Sequence, residues 1–343
     1  MTHHAAHHAL ARLDLPYPLV RDWLVAAPVF EGRGRVEPDG SLALVFGTGT
    51  LAVAAAGDGT TLTLGSPDEA SLQALRDFIA EEADEAGVIP LWQDSARRGR
   101  PANLCLARVE RVESLSPAFR RIWLAGPDLA RLMRGGLHFR LLLGPEGAAW
   151  PDLDDRGLTR WPGGQQAWHR PVYTIRDIRG EGRDTRIALD VFLHDGGRVS
   201  LWSERLTPGD EVALMGPSGG DIPAGPGGLA PWFGLFGDET ALPAIARILA
   251  ALPTDARGCA VVLVPSPADA QVLAHPPGIR LDWLFRGADG DQALLTALRA
   301  RTLPQTGCFV FFAAGGQETA AARRHLDAAG LGKADYWAQA YWH

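Results

Sequence analysis

The sequence predicts three architectures in succession: a small α+β module, an antiparallel β-barrel, and an α/β domain built on a parallel sheet. Three observations lead there. Short β-rich runs and one well-delimited helix fill residues 1–95; six strand-like runs without a long helix fill 103–217; strands alternate with helices across 226–343. The length of 343 residues fits this division, because single cores stop growing near ~250–300 residues.

In the first module, "SLALVF", "TLAVAAA" and "TTLTL" are separated by "GTG" and "GDG", the pattern of a meander. An earlier helix is expected around Leu10 to Ala27. The stretch "SPDEASLQALRDFIAEEADEAG" predicts a second helix with Ser66 as cap, Pro67 in its first position and Glu69 closing a capping box. Leu72, Leu75, Phe78 and Ile79 form its apolar stripe, and Gly87 stops it. The polar "QDSARRGRPAN" reads as a linker.

The barrel strands are "NLCLARVERV", "FRRIWLAG", "HFRLLLG", "PVYTIRDI", "RIALDVFLH" and "DEVALMG", bounded by Gly, Pro and Asp. They are interrupted by "PEGAAWPDLDDRGLTRWPGGQQAWH", a loop of the length that often carries function. In the last domain "WFGLFG", "GCAVVLVP", "IRLDWLF" and "CFVFFAA" are buried parallel strands. The helices are "TALPAIARILAAL", "DQALLTALRART" and "QETAAARRHLDAAG", with Thr240 capping the first and Gln317 or Thr319 the last.

Composition narrows the function classes. A net charge of −7 argues against nucleic acid as the main partner. No apolar run reaches the ~18 residues of a membrane span, and "MTHHAAHHALARLDL" lacks a secretory pattern, so a cytoplasmic protein without stable membrane association is expected. Cys105, Cys259 and Cys308 are widely spaced in apolar contexts and read as buried thiols rather than metal ligands. His3, His4, His7 and His8 have no scaffold to fix a coordination geometry, so no metal is assigned.

Ligands of open α/β sheets bind at the carboxyl ends of strands, which here read "GDET" and "AAGGQET". The G-x-G-x-x-G pyrophosphate fingerprint is missing, and the first turn is acidic. Asp238 and Glu239 suit a helix N-terminus by ~0.3–1 kcal/mol. In the barrel, "HRPVYTIR" sends Tyr173 and Thr174 to opposite faces of a strand, and an arginine near an aromatic ring suits a flavin. "HDGGRVSLW" offers backbone N–H groups in a turn, a concavity fit for a pyrophosphate.

Together "GDETALPAIARIL", "YTIR", "HFRLLLGP" and "GDEVALMGPSGG" resemble the siderophore-interacting protein family of flavin-dependent ferric-siderophore reductases, within the ferredoxin-reductase-like group. The resemblance covers roughly 103–343; residues 1–95 resemble a small domain of unknown function sometimes fused ahead of it. It implies an FAD-binding barrel and an NAD(P)H-binding α/β domain. Tyr173 would stack on the isoalloxazine and Thr174 would hydrogen-bond near its reactive nitrogen, the pair forming the catalytic centre. Arg170, Ile175 and Arg176 flank them. His194, Gly197, Val199, Ser200 and Trp202 match the stretch that wraps the pyrophosphate, with Val199 where alanine is usual. Asp238, Glu239, Thr240 and Ala241 form the nicotinamide-side loop.

Two features depart from the family pattern. The arginine usually found two residues before the tyrosine is replaced by Pro171, with Arg170 one position earlier. The C-terminal G-Y-W-R is "QAYWH", so Tyr341 and Trp342 either shield the flavin or pack as core aromatics. By the resemblance, the substrate is a ferric siderophore met by Arg140, Arg286 and Lys333, with Arg176 adding to a basic patch. The electron donor is NADPH or NADH, its phosphates met by Arg286 or Arg247. A general NAD(P)H:flavin or flavodoxin-type reductase and a siderophore binder without turnover stay open, as does the oligomeric state.

Overall fold

In a computed structural model of the chain, the described residues are 6–27, 30, 34–47, 49–93, 98–133, 136–218, 232–287 and 292–342. His3, His4, Gly219, Gly220, His343 and residues 94–97 of the expected linker lie outside them.

The N-terminal module comprises β1 (His7–Leu13), α1 (Tyr17–Ala26), β2 (Gly34–Val36), β3 (Leu42–Phe46), β4 (Gly49–Ala56), β5 (Gly59–Ser66), α2 (Glu69–Glu85) and β6 (Leu91–Trp92). Its strands form one antiparallel sheet in the order β2-β3-β4-β5-β1-β6. Period-two alternation buries Leu42 and Leu44, Leu51 and Val53, and Leu62 and Leu64 in a common core. Val20 and Leu24 of α1, with Leu75 and Ile79 of α2, complete it. Each such side chain contributes ~1.5–3 kcal/mol by leaving water.

Two expectations for this module are corrected. The helix expected around Leu10 to Ala27 begins only at Tyr17, because Pro16 (φ −57°, ψ 138°) holds extended backbone just before it. Residues 7–13 are instead a strand with Ala9, Ala11 and Leu13 buried. Helix α2 is capped not by Ser66, which ends β5, but by Asp68. The Asp68 carboxylate accepts the backbone N–H of Ser71 at 2.8 Å. Gly87, at φ +72°, ends the helix in a Schellman turn, with Val88 N–H donating to the Ala83 carbonyl.

The central region comprises β7 (Leu104–Ser116), β8 (Phe119–Ala125), β9 (His138–Leu142), β10 (Asp152–Leu153), β11 (Thr159–Arg160), β12 (Val172–Thr174), β13 (Asp177–Arg179), β14 (Arg186–Phe192), α3 (Arg198–Arg205) and β15 (Glu211–Ser218). All six expected runs are extended. "PVYTIRDI" divides into β12 and β13, because β12 neighbours β9 whereas β13 pairs with β14. "GRVSLW", read as a turn, opens the short helix α3. The long loop contains the β10–β11 hairpin.

The remainder comprises β16 (Trp232–Gly237), α4 (Leu242–Ala251), β17 (Arg257–Val264), β18 (Gly278–Phe285), α5 (Ala293–Arg299), β19 (Cys308–Gly315), α6 (Gly316–Ala328) and β20 (Tyr336–Trp342). The sheet is parallel throughout, in the order β18-β17-β16-β19-β20. Residues 336–342, which carried no strand expectation, form its fifth strand. The chain steps from β16 outward through β17 and β18, then returns to β19 on the other side of β16. The topological switch point therefore lies between β16 and β19. At Gly237 a Cβ would stand 2.6 Å from that of Ala241 and 2.7 Å from Ile245 Cδ1, so only glycine lets α4 lie this close to β16.

By contacts the chain divides into two compact units, neither continuous in sequence. The first takes Met1–Leu106, Arg134–Tyr173 and Val212–Gly219; the second takes Ala107–Met133, Thr174–Glu211 and Gly220–His343. In the first, β9 pairs antiparallel with β15. In the second, the turn after β7 is tied to the segment following β17: Asp269 accepts Ser116 Oγ at 2.7 Å and Ala118 N–H at 2.9 Å. Among the described residues, no helix is long and apolar enough to cross a membrane.

Candidate active site

In the second unit, Thr174 (5% exposed) and Ile175 (0%) are buried where β12 ends. The Ile175 carbonyl accepts Arg247 Nη1 from α4 at 3.1 Å. Arg247, expected at a dinucleotide phosphate, is thus committed to the barrel backbone. Arg176 lies in a buried cluster. Arg121 grips Asp190 through both carboxylate oxygens at 2.6 and 2.8 Å, while Arg176 Nε stands 3.5 Å from the same group without a hydrogen-bond partner. Burial pushes the Arg176 pKa down, Asp190 opposes that shift, and Arg121 adds to it. With Arg121 holding both oxygens of Asp190, Arg176 Nε is left an orphaned buried donor among the described residues, an arrangement that an anion completes. Neither Arg121 nor Asp190 was singled out in the sequence. The available signal was Asp190 itself, a lone carboxylate inside the apolar strand "RIALDVF", which demands a buried cation.

The expected pyrophosphate stretch opens α3. Gly197 occupies the N-cap position and α3 has no side-chain cap, so its first-turn N–H groups are open to a ligand. A Cβ on Gly197 would stand 2.7 Å from His194 Nε2 and Ser200 Oγ, so a side chain there would force both of these groups to shift. Ser200 Oγ in turn accepts the His194 backbone N–H at 3.1 Å. Val199 and Ser200 are buried, Trp202 is half-buried, and the exposed His194 ring stacks on Phe192. The uncapped helix end and the unpartnered Arg176 Nε both fit the phosphates of FAD.

At the carboxyl end of β16, the acidic turn is internally satisfied. Asp238 Oδ1 accepts Thr240 N–H at 2.9 Å and its hydroxyl at 2.6 Å, and Oδ2 accepts Trp342 Nε1 at 2.7 Å. Thr240 is therefore not the cap of α4; that position falls to Ala241, without a side-chain bond. Helix α6 likewise starts from Gly315 and not from a cap at Gln317 or Thr319. Glu239, 5% exposed, accepts Arg286 Nε at 3.0 and 3.1 Å. Burial and the neighbouring Asp238 push the Glu239 pKa up against that pairing. Trp342 also packs on Gly315 at the end of β19, so its indole covers both sides of the switch point. Burial, with Asp238 adding to it, raises the Tyr341 hydroxyl pKa.

In the first unit, Tyr173 is half-buried and burial raises its hydroxyl pKa. Arg140 Nη1 donates to the Arg170 carbonyl at 3.1 Å, and the Arg170 guanidinium lies 4.8 Å from the centre of the Trp161 ring. Both line a cavity of ≈ 690 Å³ that lies within this unit. Burial lowers the Arg170 pKa, and Arg140 lowers it further against the pull of Glu81. Three of the four expected substrate cations are each drawn to a carboxylate: Arg176 to Asp190, Arg286 to Glu239 and Lys333 to Asp327. Arg140 is not.

An antiparallel flavin-type barrel and a parallel sheet with its topological switch point, together with an uncapped helix end and a buried arginine donor suited to phosphates, define a ferredoxin-reductase-like flavoprotein. The model of the siderophore-interacting FAD-binding domain matches residues 108–221, and that of the siderophore-interacting protein matches 230–343. The chain belongs to the siderophore-interacting protein family. It is 30% identical over 244 residues to an NADPH-dependent ferric-chelate reductase of Escherichia coli, covering 68% of this chain and 91% of that protein. To the ferric vibriobactin reductase ViuB of Vibrio cholerae it is 27% identical over 226 residues, covering 63% and 80%. The siderophore-interacting protein SipS from Aeromonas hydrophila superimposes with a TM-score of 0.59 at 29% identity, covering 70% of this chain and 91% of that one.

Proposed function

We propose that this protein reduces ferric siderophores in the cytoplasm, with NADPH or NADH as donor and FAD as the resident cofactor, and that modules 1–95, 103–217 and 226–343 divide the work. One observation carries the reading: Arg140 and Arg170, neither paired to a carboxylate among the described residues, line an open cavity, and three residues beyond Arg170 the chain reaches Tyr173. Three residues of extended chain span about 10 Å, so a chelate in the cavity would lie near the ring that Tyr173 stacks. The names and extent of the relatives above support the same chemistry.

Bound FAD takes two electrons as a hydride and passes them on singly, which suits a one-electron Fe(III) acceptor. Fe(II) is softer than Fe(III) and held less well by hard oxygen ligands, so reduction releases the metal without cutting the siderophore. The chain's own residues bind and orient. Arg121 and Arg176 with the α3 N-terminus would hold the phosphates, Thr174 would donate to the ring, and Arg140 and Arg170 would meet the chelate. Arg170, expected at the flavin phosphate, is better placed for the substrate. The purified protein, loaded with FAD, should show flavin absorbance and oxidise NADPH or NADH faster when a ferric siderophore is added. A flavin-loaded protein whose NAD(P)H oxidation ignores every ferric chelate is not this enzyme.

A further inference from the structure

The family match begins at residue 108, so nothing in it accounts for the module ahead of it. Yet that module supplies one wall of the cavity described above. Helix α2 and the chain after it contribute Phe78, Glu81, Asp84 and Ile89 to the lining that also holds Arg140 and Arg170. Three side chains on one face of α2 fix the helix to the β10–β11 hairpin. Gln73 Nε2 donates to the Gly157 carbonyl at 3.1 Å, Arg76 Nη2 donates to the Arg156 carbonyl at 2.7 Å, and Asp77 accepts Thr159 N–H and Oγ1 at 2.9 and 2.6 Å. The wall is therefore held by buried polar bonds on the long loop, which would be costly to break.

The lining is balanced in charge, with four carboxylates and four guanidiniums, so it is not the basic bowl that a polyanion selects. Arg156 is ion-paired to Asp154, and Arg160 to Asp152. Arg140 and Arg170 are in no ion pair with a carboxylate among the described residues. Glu81 accepts the neutral Gln165 amide and attracts Arg170, and Asp84 stands exposed on α2.

We propose that α2 of the N-terminal module is the specificity wall of the substrate site: Glu81 and Asp84 share the cavity lining with Arg140 and Arg170, and the site takes ferric chelates without net negative charge, such as trishydroxamates, in preference to trianionic tris-catecholates. The proposal rests on the reductase reading. A hydroxamate complex leaves the two guanidiniums free to donate to its ligand oxygens, while its periphery lies on Phe78 and Ile89. A trianion gains more from the arginines but is repelled by both carboxylates. The cavity's volume falls within the ~300–1,000 Å³ of small-molecule sites.

Gallium(III) complexes test this without turnover, since they copy the ferric chelates but are not reduced. Titration calorimetry on the FAD-loaded full chain should show a Ga(III) trishydroxamate binding more tightly than a Ga(III) tris-catecholate. In the Glu81→Gln, Asp84→Asn double variant, tris-catecholate affinity should rise on the order of tenfold at low salt, with trishydroxamate affinity within about twofold. Added salt should narrow the wild-type preference, a measurement that needs no variant. An unchanged preference in the double variant, or a wild-type preference for the tris-catecholate, overturns the wall. If both ferric chelates are reduced while the double variant alters nothing, the wall falls and the reductase stands. If neither is reduced, the reductase reading falls and the gallium titration alone judges the wall.

Discussion

Asp77 shows how one carboxylate couples the N-terminal module to the barrel's long loop. Burial pushes its pKa up to about 6, against the hydrogen bonds from Thr159 and Gln73 and the charge of Arg76. Its folded-state pKa thus lies above the unfolded value of ~3.9. A proton bound more tightly in the folded state stabilises at low pH, and that stability is lost as pH rises from about 4 through 6. Asp77→Asn should remove this dependence: between pH 4 and 7 the variant should gain about 2 kcal/mol on the wild type in urea unfolding. Equal slopes for the two proteins would show that Asp77 is not strained by burial. Arg286 offers a complementary case. Truncating it to Ala leaves Glu239 buried without its cation. Because Arg286 is itself 42% exposed, the cost should be about 1–3 kcal/mol at pH 7.5, shrinking as Glu239 protonates at lower pH. A cost that grows toward acid pH would reverse the assigned roles.

At the scale of elements, hydrophobic pattern carried most of the information. The β-runs of the meander, the barrel and the parallel sheet each sit on a run legible as alternating or continuously apolar, because one or both faces are buried. What stayed hidden was set by long-range partners. Strand β1 looked helical until Pro16 and its pairing with β5 fixed it, and α3 was masked by glycines that serve its N-terminus. Strand β20 was illegible because "AQAYW" becomes a strand only by pairing with β19. Its last described residue has a consequence for turnover. Trp342 is bonded to Asp238 and packed on Gly315, over the strand ends where a dinucleotide binds in this class of sheet. Trp342→Ala should therefore tighten NADP+ binding about tenfold in a difference-spectral titration, the equivalent of one such contact no longer having to be displaced. Weaker or unchanged binding would place Trp342 outside the dinucleotide's path.

For the whole molecule, the sequence disclosed the class of chemistry better than the layout of the site. "GDETALPAIARIL", "YTIR", "HFRLLLGP" and "GDEVALMGPSGG" together pointed at a flavin reductase, since each is a short contiguous stretch whose pattern is local. The partners of the charged residues were not local. Arg247 reaches Ile175 over a sequence separation of 72, Arg121 reaches Asp190 over 69, and Trp342 reaches Asp238 over 104, distances at which pattern says nothing. The contribution of α2 to the cavity escaped notice for the same reason. In the proposed function, electrons pass from a nicotinamide donor through FAD to iron held beside Arg140 and Arg170. Its most direct test is anaerobic: the FAD-loaded protein is reduced with one equivalent of NADPH or NADH, mixed with a ferric trishydroxamate, and followed by flavin absorbance with a ferrous-specific chromogenic chelator present. Oxidised flavin should return in full with close to two ferrous ions trapped per flavin; flavin that stays reduced, with no ferrous iron above a protein-free control, would rule the reductase out.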